Sequence, residues 1–119
     1  MKPFSEEQMG HIAARSRALG DPTRVRILAV LAKGPQAVGQ IAEAARTQQS
    51  TASKHLQVLF HAGLVQRQRE ASAVIYRLTS PDLLEWCRYL ATPNLAQARA
   101  RKVSIRGATT NVSAERRSR

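Results

Sequence analysis

From Ala44 to Arg69 the chain carries no acidic side chain, and inside that stretch Ser50, Ser53, Lys54, Gln57 and His61 recur at i, i+3, i+4, i+7 and i+11. Such steps put side chains on one face of a helix. Hydroxyl, amide and ammonium groups with no carboxylate among them donate and accept hydrogen bonds without repelling a polyanion. That face suits the major groove of DNA, where Gln, Ser and Lys reach base edges and phosphates. A polar stripe alone is more often the solvated side of an ordinary helix, so the rest of the chain has to decide between the two.

Other chemistries find less support. Ser53 and His55 stand two residues apart on one helix and do not face each other. The 6 glycines are scattered rather than gathered into a phosphate-cradling loop, and no nucleophile stands near a base and an orienting group at a recognisable spacing. Cys87 is the single cysteine, which excludes an internal disulfide framework and a multi-cysteine zinc site. His11, His55 and His61 include no i,i+4 pair, so no local helix clamp for a metal forms. No catalytic residue, metal or cofactor is expected.

The elements that must position the polar face are signposted. Ser5-Glu6-Glu7-Gln8 is a capping box. Asp21-Pro22 and Ser80-Pro81 each place a capping oxygen before a proline at a first helical position. Lys33-Gly34-Pro35 and Gly63 are stops. These signals predict α1 at roughly 5–18, α2 at 22–33, α3 at 38–45, α4 at 49–62 and α5 at 81–91. Val38, Ile41, Ala42 and Ala45 form the apolar stripe of α3, and Ala52, Leu56, Leu59 and Phe60 that of α4.

Between α4 and α5 the period falls to two. Residues 65–69 and 74–78 read as a β-hairpin, with Val74, Tyr76 and Leu78 on one face and Ile75 and Arg77 on the other. The order α1-α2-α3-α4-β-β-α5, mainly helical with a small hairpin, is that of a winged helix-turn-helix. The hairpin, the missing acids and the net charge of +11, from 19 Lys+Arg against 8 Asp+Glu, favour DNA over plain solvent for the face on α4.

Ala18-Leu19-Gly20-Asp21-Pro22-Thr23-Arg24-Val25-Arg26-Ile27-Leu28 resembles the opening helices of the ArsR family of bacterial winged-helix repressors. Gln49-Ser50-Thr51-Ala52-Ser53-Lys54-His55-Leu56, Leu59 and Ala62-Gly63-Leu64-Val65 are similar to that family's recognition helix and its exit, and Val74-Ile75-Tyr76-Arg77-Leu78 to its wing. The resemblance implies a homodimeric repressor that joins through α1 and α5 and sets two α4 helices into successive major grooves. An inverted-repeat operator with half-sites ~10 bp apart is then expected. By position, Gln49, Ser50, Ser53 and Lys54 are base or phosphate contacts, and Thr51 offers a methyl and a hydroxyl to the same groove. Gln57 extends the face, and His55 supports the helix or touches a phosphate. Arg67, Arg69 and Arg77 grip the backbone or minor groove through the wing, unless they are solvated strand arginines.

The apolar stripes agree with assembly. Leu83, Trp86, Cys87 and Leu90 line α5, and Met9 and Ile12 line α1, more apolar surface than one small domain buries. Cys87 is either a small apolar member of that stripe or a redox-responsive thiol. The chain also departs from the family pattern. Arg46 replaces a glycine before the recognition helix, Gln48 replaces a capping serine, and Ala71-Ser72 replaces a Gly-Arg pair at the wing tip. Thr47 is an alternative cap. Two metal sites common in the family lack their ligands here, since Ala37-Val38-Gly39 stands where one has cysteines and α5 has no histidine. The inducer is left unspecified.

Residues 1–91 are expected to form the DNA-binding and dimerisation domain, and 92–119 a basic, largely disordered tail. The first segment holds 12 basic and 7 acidic side chains and the second holds 7 and 1. No apolar run approaches the ~20 residues of a membrane span, and the N-terminus lacks a signal-peptide core, so a cytoplasmic protein is expected. A winged-helix protein-interaction module and a nonspecific DNA binder are the alternative readings. Since a tail of mixed basic and small polar residues cannot specify sequence, deleting residues 95–119 should flatten the salt dependence of DNA affinity and leave the preferred operator unchanged. A changed operator preference in a binding selection would contradict this division.

Overall fold

The computed structural model describes residues 2–98, in the order α1 (Glu6–Ala18), α2 (Pro22–Leu31), β1 (Gln36–Ala37), α3 (Val38–Ala45), α4 (Gln49–His61), β2 (Val65–Glu70), β3 (Ala73–Leu78), α5 (Leu83–Ala91) and α6 (Leu95–Ala98). Most of the expected basic tail lies outside the described residues.

Local chemistry sets the helix starts. The Ser5 hydroxyl accepts from the Gln8 N–H at 3.1 Å, and the Gln8 side chain accepts from the Ser5 N–H at 2.9 Å, so the capping box forms as read. Asp21 Oδ1 accepts from the N–H groups of Thr23 and Arg24 at 2.7 and 3.3 Å, with Pro22 in the first helical position. The expectation for α5 differs. Pro81 and Asp82 take a tight turn, closed by Leu84 N–H to Pro81 C=O and Glu85 N–H to Asp82 C=O, and the helix begins at Leu83. Proline's fixed φ fits that turn as well as a first helical residue.

The residues up to Ser80 form one compact unit. Its core joins Ile27, Leu28 and Leu31 of α2, Ile41, Ala42 and Ala45 of α3, and Ala52, Leu56 and Leu59 of α4, all buried, with Leu64, Val65 and Tyr76. The apolar spacing of each helix therefore does what its sequence implies: three short helices bury one stripe apiece against the others. The β-hairpin gains a third strand that the sequence did not suggest. β1 pairs antiparallel with β3, Gln36 opposite Tyr76 and Ala37 opposite Ile75, giving the order β1-β3-β2. The residues from Pro81 on form a second unit, in which Thr92 Oγ1 donates to the Arg88 carbonyl at 3.3 Å beyond the end of α5.

Helix ends expose carbonyls that the helix cannot satisfy, and here side chains from other elements meet them. Arg24 donates to the Arg17 and Ala18 carbonyls that end α1, and Gln36 to the Val30 carbonyl of α2. Arg26 donates to the Ala45 carbonyl of α3, and Arg15 to the Ala62 carbonyl after α4.

Two residues with side chains adopt the left-handed region, Arg46 at φ 59° and Ala71 at φ 55°. Both stand where the family resemblance has glycine. Ala71 opens the two-residue turn between Glu70 and Ala73, a position that favours glycine because φ is positive there. Strain of about 1–2 kcal/mol at such a residue exceeds the ~0.5–1 kcal/mol that glycine's extra unfolded freedom costs. Ala71→Gly should therefore raise Tm by a few degrees, and an unchanged or lower Tm would show that the turn is not strained.

Asp21 carries a pH dependence of defined sign. Partial desolvation works to raise its pKa, but the Thr23 and Arg24 N–H donors, with His55 and the Arg24 guanidinium nearby, outweigh that and hold it below the ordinary 3.8. Its contribution to stability is complete above the unfolded-state value and disappears as pH falls through the lower folded-state value. Asp21→Ala should lower Tm at neutral pH, with the gap from the parent protein closing in acid. An undiminished gap in strong acid would assign the loss to something other than the carboxylate.

Candidate nucleic-acid interface

The turn from Arg46 to Gln48 joins α3 to α4. Burial of Ala52, Leu56 and Leu59 against α2 and α3 fixes which side of α4 is left outside. That side carries Ser50, Lys54, Gln57 and His61, all exposed, with Thr51 and Ser53 half-buried at its margins. The polar face read from the spacing is thus present on a helix whose opposite face is locked. Gln49 is exposed in the first turn, and its Oε1 lies 3.6 Å from where a Cβ on Gly39 would stand, so the first turns of α3 and α4 lie close together.

The start of α4 is open. Gln48 occupies the N-cap with extended backbone, φ −70° and ψ 150°, and makes no side-chain cap hydrogen bond. The helix starts at Gln49, with no shift toward Thr47. The first intrahelical bond runs from the Ala52 N–H to the Gln48 carbonyl at 2.9 Å. The N–H groups of Gln49, Ser50 and Thr51 therefore face outward at the positive end of the helix dipole, an arrangement that attracts anions. Both α1 and α2 have side-chain caps at this position.

His55 points elsewhere than the rest of the face. It is half-buried, and its Nδ1 lies 3.3 Å from Arg24 Nη1. A guanidinium has no lone pair to offer, so Nδ1 accepts and Nε2 carries the ring proton. The same guanidinium holds the end of α1. His55 accordingly ties α4 to α1 and α2, and only its Nε2–H is left to donate outward.

The wing splits the three strand arginines between two faces. Arg67 opposes Tyr76 and Arg69 opposes Val74, whereas Arg77 opposes Gln66 in the adjacent register step. Residues directly opposite share a face, so Arg67 and Arg69 line one side of the hairpin, where they border an open cleft with Gln68, Val74 and Tyr76. Arg77 is on the other side, its Nε 3.4 Å from Gln66 Oε1. Arg67 is also committed: its guanidinium carbon sits 3.9 Å from the Phe60 ring centroid, stacking the wing on α4. Of the three, Arg69 has no partner among the described residues.

The expected interface residues are open within their own units. Met9 and Ile12 of α1 are exposed, as are Trp86 and Leu90 of α5, while Leu83 and Cys87 are half-buried. Burial pushes the Cys87 thiol pKa up, which disfavours the reactive thiolate. Two further exposed residues escaped the sequence reading. Gln48 precedes α4 with its amide unused for capping, and Val58, 41 % exposed, stands one turn beyond Lys54. The i+4 step from Lys54 was signal enough for Val58, but a valine at that step resembles a core residue.

Residues 21–67 match the model of a family described as bacterial regulatory protein, arsR family. Over 76 residues the chain is 36 % identical to the HTH-type transcriptional regulator NmtR of Mycobacterium tuberculosis, covering 64 % of this chain and 63 % of that one. The match thus spans a little under two thirds of that relative. A biofilm growth-associated repressor of Xylella fastidiosa is 30 % identical over 87 residues, 73 % of this chain and 76 % of that one. The solution structure of the homodimeric winged helix-turn-helix DNA-binding domain of Mb0332 from Mycobacterium bovis is similar at a TM-score of 0.63 and 33 % identity, covering 86 % of this chain and 92 % of that one.

Proposed function

Because the chain belongs to the arsR family of bacterial regulatory proteins, we propose that it is a DNA-binding transcriptional regulator, a repressor that acts as a homodimer on an inverted-repeat operator. The observation that carries this reading is the outer face of α4, exposed, free of acids and open at its N-terminus. Gln49, Ser50, Ser53 and Lys54 in its first two turns are the readers, with Thr51 and Gln57 at the edges of the same face. His55 Nε2–H and Arg69 of the wing meet phosphates. Arg67 acts chiefly by stacking the wing on Phe60, and Arg77 lies on the far face of the hairpin.

Dimerisation is supported by two unpartnered apolar stripes. Met9 and Ile12 on α1, and separately Trp86 and Leu90 on α5 with Leu83 and Cys87, are the residues that a second copy covers. The similar Mycobacterium bovis domain is homodimeric by description. Two α4 helices related by a two-fold axis read half-sites one helical turn, ~10 bp, apart. The place of action is the cytoplasm, with the DNA. Among the described residues no helix is long and apolar enough to cross a membrane.

The test is selection of genomic fragments by the purified protein, followed by titration of the recovered duplex. One inverted repeat should be enriched, and Lys54→Ala or Ser53→Ala should weaken its binding by about 1–3 kcal/mol. Affinity that falls steeply with salt and shows no sequence preference would replace this reading with nonspecific DNA binding. Unchanged titrations for both variants would remove α4 as the reader.

A further inference from the structure

α3 and α4 end in the same motif, and only one of them has the residue that the motif favours. At the end of α4 the Gly63 N–H donates to the Phe60 carbonyl and the Leu64 N–H to the Leu59 carbonyl, both at 2.9 Å, with Gly63 at φ +80°. At the end of α3 the Arg46 N–H donates to the Glu43 carbonyl at 3.2 Å and the Thr47 N–H to the Ala42 carbonyl at 3.0 Å. Arg46 sits at φ 59°, ψ 49°. These paired bonds define a Schellman ending, whose left-handed residue is usually glycine because a Cβ there is strained.

Nothing in the fold offsets that strain through the Arg46 side chain. The residue is exposed, and its guanidinium makes no hydrogen bond or ion pair among the described residues. Glu43, three residues earlier and also exposed, is not within ion-pair distance. Arg15, Arg24, Arg26, Arg67, Arg77 and Arg88 are engaged, with carbonyls, rings or polar side chains, whereas among the described residues the side chain of Arg46, like those of Arg17 and Arg69, is not. What distinguishes Arg46 is its place, two residues ahead of the N-cap Gln48 and at the mouth of the open start of α4. A strained residue that carries a cation the fold does not use points to a function for that cation.

We infer that Arg46 is a DNA-backbone contact that anchors the start of α4, its guanidinium meeting a phosphate at the edge of the groove that α4 enters. The inference rests on the proposed reading of α4 as a DNA reader. A phosphate is the fitting partner, because Arg46 lies on the turn before the helix rather than on the face directed at bases, and backbone contacts set register rather than sequence. The strain at Arg46 is then the cost of placing a cation where the turn itself prefers glycine.

Three variants separate strain from function: Arg46→Gly, Arg46→Lys and Ala71→Gly. Thermal unfolding and salt-dependent titration are measured on each full-length protein, using a duplex selected by the parent protein from a random-sequence library. Arg46→Gly should raise Tm while weakening binding several-fold, and should lower the slope of log affinity against log salt by about 1.8, the loss of one phosphate contact from each protomer of the dimer. Its rank order of duplex sequences should stay as in the parent. Arg46→Lys should keep the slope and gain no stability. Ala71→Gly should gain stability with unchanged binding. A more stable Arg46→Gly protein with parental affinity and slope would overturn the assignment, and so would a less stable one, which would mean the turn was not strained. A changed sequence preference in Arg46→Gly would reassign Arg46 from phosphate to base contact and overturn the inference as stated. If the parent protein selects and binds no duplex, the reading of α4 falls first, and the two failures are thereby told apart.

Discussion

A helix ends on carbonyl groups that its own chain cannot satisfy, and the way this protein meets that demand fixes the arrangement of its helices. The ends of α1, α2, α3 and α4 are each held by a side chain from another element, three of them arginines. Arg24 does most: one guanidinium joins two carbonyls at the end of α1 to the ring of His55 on α4. A cation at a helix C-terminus also opposes the negative end of the dipole, so the three arginine bonds are reinforced electrostatically. α4 is thus pinned at its middle by Arg24 and at its far end by Arg15. Its first turn is left clear, the end that a groove-reading helix presents to DNA.

The basic excess consequently does two jobs. Arg15, Arg24 and Arg26 hold helix ends, and Arg67 stacks on Phe60. Lys54, Arg46 and Arg69 have no such duty among the described residues and stand on α4, ahead of it and on the wing. A count of charges treats these groups alike. The geometry separates cations that a folded chain consumes from those that it presents; the second set also includes the exposed Arg17 on α1 and Lys33 just after α2. The Arg67 stack adds a mechanical point: a cation–π contact of about 0.5–2 kcal/mol joins the wing to α4, so neither is displaced without the other.

Much of this was legible in the sequence because it is written in local chemistry. Ser5 with Gln8 and Asp21 with Pro22 are caps that act within three residues, and the stripes of α3 and α4 follow from period alone. The face on α4 was readable for the same reason. What was not legible depends on partners distant in sequence. β1 is two residues long and carries no period; only pairing with β3 makes it a strand. Arg15 and Ala62 are 47 residues apart, and nothing local marks an arginine as a cap. Arg67 and Arg77 looked equivalent until the register assigned them opposite faces. Ser80-Pro81 misled because a tight turn and a helix start ask for the same residues. Caps, stops and period supplied the order of elements, and at Arg46 and Ala71 it was the departures from the family pattern that proved informative.

α1 has a consequence of its own. From Glu6 to Ala13 every residue is exposed, and the helix is sustained there by its capping box, by Glu6 and Glu7 at the positive end of its dipole and by a contact between Glu7 and His11. Local devices of this size leave a 13-residue helix marginal in water. If a second copy covers Met9 and Ile12 as proposed, the free energy of covering them enters the folding equilibrium itself, and stability becomes a function of protein concentration rather than a constant of the sequence. Dilution would then act as a denaturant, first of all on the N-terminal turns of α1. A cell that makes only a few copies would hold chains whose proposed dimerising helix is partly unwound, so DNA binding would set in at a higher concentration than assembly of two rigid bodies requires.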